Sequence, residues 1–456
     1  MKSLRFYLFL IIASIIDLVL FNDYFSGVII FILTGYVLLR FIKNLTKSII
    51  LPEIISLTGC IVYLIMPWIA FQYFPKSNKL ANLWDIYMKV DYHTYFSLAL
   101  PGTLLLIVGL NCSLPGIDAD DDVSLVDNCK RFLNNRKFVG VTLVCIGIVS
   151  AMTINYFPES MQSIVYFFIQ LTFIGFLYIL HSRLIKRIFI IPIALTLLVG
   201  QSILTGMYGE FIFWSMFGSI IILMGQSSFT IPKRILFVVT GIFLILLIQS
   251  IKQEYRRATW KGENRTNNPA LFFSLLKERI SDPSSIINPE RSFSLVARGN
   301  QGFLISRVMA YVPKRTNFVH GETILTSLAA SFVPRFLWSD KPEVGGKENV
   351  CRFMGDCGNY HYSYNIGQLG EGYVNFGVTG GSIFMFFYGL FIRFSLDKIR
   401  SISRVFPTLI LWVPLFYFAA LSLETDFLSV INTFMKTLIF CFVCYAGFSV
   451  FLKVKL

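Results

Sequence analysis

Between Lys252 and Asn365 the chain carries ten Arg and six Lys against ten Asp plus Glu, a surplus of +6 in which Arg is the commoner cation. A guanidinium stays charged at physiological pH and presents a fork of N–H donors that matches phosphate oxygens two at a time. The chemistry on offer is capture of an anion, with a solvated basic loop near anionic lipid as the plainer alternative. Four constellations concentrate it. IKQEYRRATW (251–260) places Lys252, Tyr255, Arg256 and Trp260 close to helical spacing, followed by Arg257 as a further cation. Cations there would meet a lipid phosphate, and the aromatics also suit an interfacial anchor. RGNQGFLISR (298–307) sets Arg298 and Arg307 nine residues apart, about two and a half helical turns, and so on different faces. HGETILTSLAASFVPRFLWSDKP (320–342) stops a helix at Pro334 and holds Arg335 and Lys341 on the rigid segment that follows. YNIGQLGEGYVNFGVTGG (364–381) surrounds Glu371, Tyr373 and Asn375 with glycines at 367, 370, 372, 377, 380 and 381. Glycine admits a close backbone or ligand, and it equally serves close helix packing.

The elements that must position these residues are membrane helices. Of 456 residues 55% are hydrophobic and 14% charged, whereas a soluble chain has about a quarter charged. Apolar runs long enough to approach a bilayer crossing recur near 6–21, 24–39, 51–74, 92–110, 138–157, 161–181, 188–206, 209–229, 235–251, 370–392, 406–422 and 430–452. Continuous runs such as ILFVVTGIFLILLIQSI (235–251) lack the alternation of a barrel strand. The expectation is an all-α polytopic membrane protein with about 12 transmembrane helices. Twenty Lys and Arg fall on one side of the connections, at both termini and around 40–47, 130–137, 183–187, 233–234 and 393–404. The short connections on the other side hold only Lys76, Lys79 and Lys89, with Glu159, Glu210, Glu424 and Asp426 as acidic company. By the positive-inside rule both termini are cytoplasmic and residues 252–369 face outward. That divides the chain into helices 1–9 (1–251), a large outer loop (252–369) and helices 10–12 (370–456). The first run, at 6–21, reads as a retained helix because no small-residue cleavage site follows it. The net charge of +14 is largely this cytoplasmic excess, so no nucleic acid is implied.

Within the outer loop, FFSLLKERI (272–280), FLISRVMAYV (303–312) and TILTSLAASFVPRFLW (323–338) space apolar residues as short amphipathic helices, which makes the loop a folded cap. Cys351 and Cys357 can close a small disulfide loop there. The stretch from Asn111 to Lys137, with Asp118, Asp120, Asp121, Asp122 and Asp127, lacks the spacing of an EF-hand and reads as a solvated acidic loop. No His, Cys and carboxylate cluster in the outer loop has metal-site spacing, so neither metal nor cofactor is expected.

FVPRFLWSDKP (332–342) and LGEGYVNFGVTGG (369–381) resemble the Pro-Arg, Trp, Lys-Pro and Gly-Glu, Tyr, Asn-Phe-Gly patterns of the bacterial oligosaccharide repeat unit polymerases, the O-antigen polymerase or Wzy-type family. Lys252, Tyr255 and Arg256 resemble the basic residues that follow a helix in many members. The resemblance covers about a third of the chain. It implies a GT-C-like glycosyltransferase of the bacterial inner membrane, acting at the periplasmic face on oligosaccharides linked to undecaprenyl pyrophosphate. The flippase and chain-length regulator of the same pathway would be its partners. The growing glycan would leave its lipid pyrophosphate for a hydroxyl of the incoming unit. Fixed positive charge at the leaving group falls to Arg256 and Arg335, with Arg257, Arg298, Arg307 and Lys341 in support. A base is also needed. Glu371 is the first candidate, followed by His320 and His361, while Tyr373 and Asn375 lie within reach of substrate. An O-antigen ligase and a lipid-linked oligosaccharide flippase are the alternatives.

Overall fold

The computed structural model describes residues 24–112, 122–182, 187–205, 208–261, 269–282, 289–333, 337–358, 364–451, 453 and 456. The run expected at 6–21 lies outside them. The described residues form helices and connecting turns, and eight helices are long and apolar enough to cross a membrane. They are α1 (Tyr24–Asn44), α2 (Leu51–Tyr73), α4 (Tyr92–Asn111), α6 (Val139–Thr153, prolonged by one 3₁₀ turn), α7 (Glu159–Ser182), α10 (Ile231–Lys261), α16 (Gly367–Ser403) and α18 (Phe427–Phe451). Between them stand α3 (Lys79–Leu83), α5 (Asp122–Asn134), α8 (Arg187–Thr205), α9 (Gly209–Leu223) and α17 (Val413–Tyr417, after a 3₁₀ turn at Pro407–Trp412). Three of the expected runs, at 188–206, 209–229 and 406–422, therefore appear as shorter apolar helices.

The segment between α10 and α16 folds as α11 (Pro269–Ser281), α12 (Pro289–Gly299), α13 (Gln301–Tyr311), α14 (Glu322–Phe332) and α15 (Lys347–Met354). The three amphipathic runs are present, and α12 and α15 join them. Cys351 and Cys357 are bonded, with 4.3 Å between their Cα atoms.

Two local devices shape the bundle. At Gly109 and Gly389, α4 and α16 meet backbone to backbone. A Cβ on either would lie 2.3 or 2.5 Å from a carbonyl of the other helix, so small residues alone permit the approach. In α2, a π turn at Cys60–Ile65 interrupts the hydrogen-bond register and frees carbonyls. Tyr95 fills one vacancy by donating its hydroxyl to the Tyr63 carbonyl at 2.9 Å, and the Tyr63 hydroxyl in turn reaches the Leu423 carbonyl at 2.7 Å.

The reading of 111–137 as a solvated loop needs correction over its second half. Leu125, Val126, Cys129 and Leu133 recur at three-to-four spacing and bury one face of α5. Asp122 opens that helix inside the protein and pairs with Arg400, instead of facing water. Residues 113–121 lie outside the described residues.

Candidate active site

Helix α10 has 31 residues, about 46 Å at 1.5 Å per residue, whereas a bilayer core is about 30 Å thick. Its excess length carries Lys252, Glu254, Tyr255, Arg256 and Arg257 into the cap. Tyr255 faces inward: it is fully buried, its hydroxyl donates to the Ile203 carbonyl at 2.9 Å, and Phe272 of α11 packs edge-on against its ring. That contact fixes the rotation of α10. Glu254 then fixes the cap, with Oε2 2.6 Å from Arg279 of α11 and Oε1 2.7 Å from Arg291 of α12. The cap helices are thereby stapled to the end of α10 by charge-assisted hydrogen bonds.

Beside this staple lies a cavity of about 920 Å³. Lys252, Arg256 and Arg257 of α10 line it together with Arg291 and Arg298 of α12. Its apolar part comes from Leu80, Leu83 and Trp84 at α3, Leu246 of α10 and Phe293 and Leu295 of α12. Lys252, Arg256 and Arg298 repel one another electrostatically. Glu424, in the turn between α17 and α18, stands 3.1 Å from Arg298. Burial pushes its carboxyl above the usual glutamate range, while Arg298 and Lys252 pull it back. In the sequence Glu424 is only acidic company in a short connection, and no motif marks it.

The Gly-Glu, Tyr, Asn pattern is placed differently. Helical backbone ends after Phe376, because Gly377 takes φ 69° and ψ −162°, a conformation only glycine adopts readily. The break divides α16 into a half-helix and a long helix. The Val374 and Asn375 carbonyls at the break accept the backbone N–H groups of Val319 and His320 at 3.0 and 3.1 Å. Asn375 is buried, takes the Gly321 N–H on Oδ1 at 2.9 Å and donates to Thr323 Oγ1 at 2.7 Å. The Tyr373 hydroxyl donates to the Val312 carbonyl at 3.0 Å. Glu371 has no exposed surface, and its Oε2 accepts the Phe427 N–H at 2.9 Å, at the first turn of α18. There a carboxylate satisfies a donor that the helix leaves without a partner.

The remaining candidates are dispersed. His320 is exposed and joins the glycine-pattern group through its backbone. Lys341 caps the end of α14 by donating to the Val333 carbonyl at 2.9 Å. Arg307 pairs with Asp356 at 3.5 Å, beside the disulfide loop, and is not among the residues lining the cavity. Arg335, His361 and the side chain of Trp260 lie outside the described residues. Among the described residues no group of three or more His, Cys, Asp or Glu could hold a metal ion. The structure thus gathers Lys252, Arg256, Arg257 and Arg298 around one cavity and gives Tyr255, Glu371, Tyr373 and Asn375 internal partners. Glu254, Arg291 and Glu424 belong to the site's surroundings and were missed, because pairing across elements leaves no local signature. No protein-family model, no curated protein and no solved structure matches the chain.

Proposed function

We propose that this protein is a membrane glycosyltransferase that polymerises oligosaccharide units carried on undecaprenyl pyrophosphate. One observation carries the reading: the 920 Å³ cavity joins a wall of five cations to a wall of Leu, Phe and Trp at the end of a membrane-length helix. A ligand matching both walls has a phosphate group and a long hydrocarbon tail. Arg256, Arg257 and Arg298 would hold the pyrophosphate by paired N–H donors, and Leu80, Leu83 and Leu246 would take the first isoprene units. Fixed cations at the phosphate stabilise the charge that develops as the sugar leaves. The likeness of 332–342 and 369–381 to the repeat unit polymerases supplies the sugar chemistry and the inner membrane, and the Lys and Arg distribution supports both termini in the cytoplasm and the cap in the periplasm.

The broken helix α16 is also a device of transporters, whose half-helix ends meet substrate. Here the half-helix's terminal carbonyls are taken up by Val319 and His320, which favours the enzyme. The test is the glycan of a strain lacking the protein. A core bearing a single repeat is expected; polymer accumulating on undecaprenyl pyrophosphate would indicate a ligase instead, and unflipped repeats on the cytoplasmic leaflet a flippase. Reporter fusions check the orientation: cytoplasmic signals are expected after Lys137, Lys186 and Arg404 and a periplasmic signal near Asn288, and the reverse pattern overturns it.

A further inference from the structure

We infer that Glu424 is the group that takes the proton from the acceptor hydroxyl, in a role that the donor's pyrophosphate releases by drawing Arg298 and Lys252 away from it. The inference rests on the polymerase reading above. Its starting point is a comparison of the carboxylates near the cationic cluster. Glu254 is held by Arg279 and Arg291 together. Glu371 has no exposed surface and serves the Phe427 N–H. Glu254 would keep the buried Arg279, which does not line the cavity, if a phosphate claimed Arg291. Arg298 and Lys252, the two cations acting on Glu424, both line it, and the Glu424 side chain keeps 27% of its surface exposed. A phosphate offers Arg298 more acceptor oxygens and more charge than one carboxylate does. Its arrival therefore exchanges partners.

The exchange has a chemical consequence. Two cations from two elements act on Glu424, Lys252 of α10 and Arg298 of α12, and Tyr63 of α2 stands close enough to feel its charge. The two cations hold its basicity down, and burial raises it. When a phosphate neutralises the cations, burial prevails and the carboxylate becomes a stronger base while donor is bound. The proton of the acceptor O–H then passes to Glu424. The oxygen's electron pair forms the new bond to the anomeric carbon of the donor, the bond from that carbon to the pyrophosphate oxygen breaks, and its electron pair leaves with the pyrophosphate. Glu424 gives its proton to water before the next cycle.

The chain around Glu424 is built to hold it. Leu423 sits at φ 55°, unusual for a leucine, with its carbonyl taking the Tyr63 hydroxyl at 2.7 Å. Thr425 Oγ1 donates to the Ala419 carbonyl at 3.0 Å, and Phe427 N–H is fixed by Glu371. Glu371 is on this account a positioning residue, acting through the backbone N–H of Phe427, three positions after the base.

The experiment uses the full chain in lipid nanodiscs, undecaprenyl pyrophosphate as the binding probe and a synthetic undecaprenyl-pyrophosphate oligosaccharide as substrate. Glu424→Gln should bind the probe as tightly as wild type or more tightly, because a competing carboxylate charge is gone. Its chain extension should fall about 100-fold or more, and the decline of the rate on the acid side of the pH profile should disappear. Glu424→Asp should recover part of the rate. Extension by Glu424→Gln within about threefold of wild type, a margin far below a general base's usual contribution, overturns the inference. So does a parallel loss of probe binding that Glu424→Asp fails to restore. Wild-type protein that neither binds the probe nor extends the glycan would instead bring down the polymerase reading itself, and this inference with it.

Discussion

Arginines and carboxylates cluster at two ends of this bundle, with different balances. At the C-terminal end of α16, Arg400 gives Nε and Nη2 to Asp122 at 2.8 and 2.7 Å and Nη1 to Asp397 at 2.9 Å. Arg393 reaches the other Asp397 oxygen at 2.9 Å, and Asp122 also takes the Ile49 N–H at 2.7 Å. Two cations meet two carboxylates, all of them buried. Around the cap cavity, Lys252, Arg256, Arg257, Arg291 and Arg298 line the wall with Glu254 and Glu290 as the lining acids, and Glu254 is shared with Arg279. The first cluster is complete without a ligand and fastens α5 to α16. The second carries an excess of positive charge in a concave, partly apolar setting, which focuses potential on an incoming anion.

The comparison breaks most visibly by removing one arginine from each end. Arg400→Met leaves the buried Asp122 without its cation, while Asp397 keeps Arg393, a change that costs about 3–5 kcal/mol. Arg298 is 68% exposed and has one carboxylate partner, so Arg298→Met should cost under about 1 kcal/mol. Thermal unfolding of the purified protein in detergent measures both. Equal losses of stability would erase the distinction between a structural and a ligand-directed cluster.

A second test reads function where the first reads stability. Arg256→Ala should lower glycan extension by about 10²–10³-fold, the usual effect of removing a preorganised donor to developing charge, with protein levels preserved. Arg256→Lys should rescue poorly, since an ammonium lacks the fork. Arg335→Ala should behave alike if its segment reaches the same phosphate, whereas Arg307→Ala, paired with Asp356 and not lining the cavity, should stay close to wild type. In vitro extension assays decide this. Full extension by Arg256→Ala would remove the cavity from the mechanism.

What could be read in the sequence follows the same division. Hydropathy has a period and a length, so most of the long helices and the amphipathic pieces of the cap were legible residue by residue. The cations of 252–257 were legible too, because helical spacing places them together on one element. Glu371, Tyr373 and Asn375 stand out in the sequence as polar groups among glycines, yet in the structure each satisfies a backbone group of another segment, at Phe427, Val312 and Gly321 in turn. Polar residues that satisfy a backbone and polar residues that bind a ligand have the same composition. Glu424 was illegible for the opposite reason: its partner Arg298 is more than a hundred residues away, and such a pairing exists only after folding.

The break in α16 supplies a smaller effect. Gly377 holds φ 69° and ψ −162°, where a side chain costs about 1–3 kcal/mol. Gly377→Ala should lose that much in thermal unfolding while leaving the cavity cations in place, so probe binding should persist in whatever protein remains folded. A variant as stable as wild type would show that the half-helix is not fixed by this turn.

The smallest effect belongs to an ion pair that is neither buried nor at the cavity. Arg352 of α15 holds both oxygens of Glu322 at the start of α14, at 2.6 and 2.9 Å, and the two side chains remain 39% and 54% exposed. The hydrogen bonds from Arg352, helped by its charge, hold the Glu322 carboxyl below the usual glutamate range against the opposing effect of burial. A lowered folded value means that the unfolded chain binds the proton more readily. The stabilisation is therefore fully present above the unfolded value of about 4.3 and is lost as pH falls through the folded value. Exposure and salt keep it under about 1 kcal/mol. Wild type should melt slightly above Glu322→Gln at pH 7, and the gap should close on acidification and shrink in high salt. A gap that widens in acid would mean that Glu322 acts on something other than Arg352, and that even the exposed pairs of the cap are tuned for a ligand.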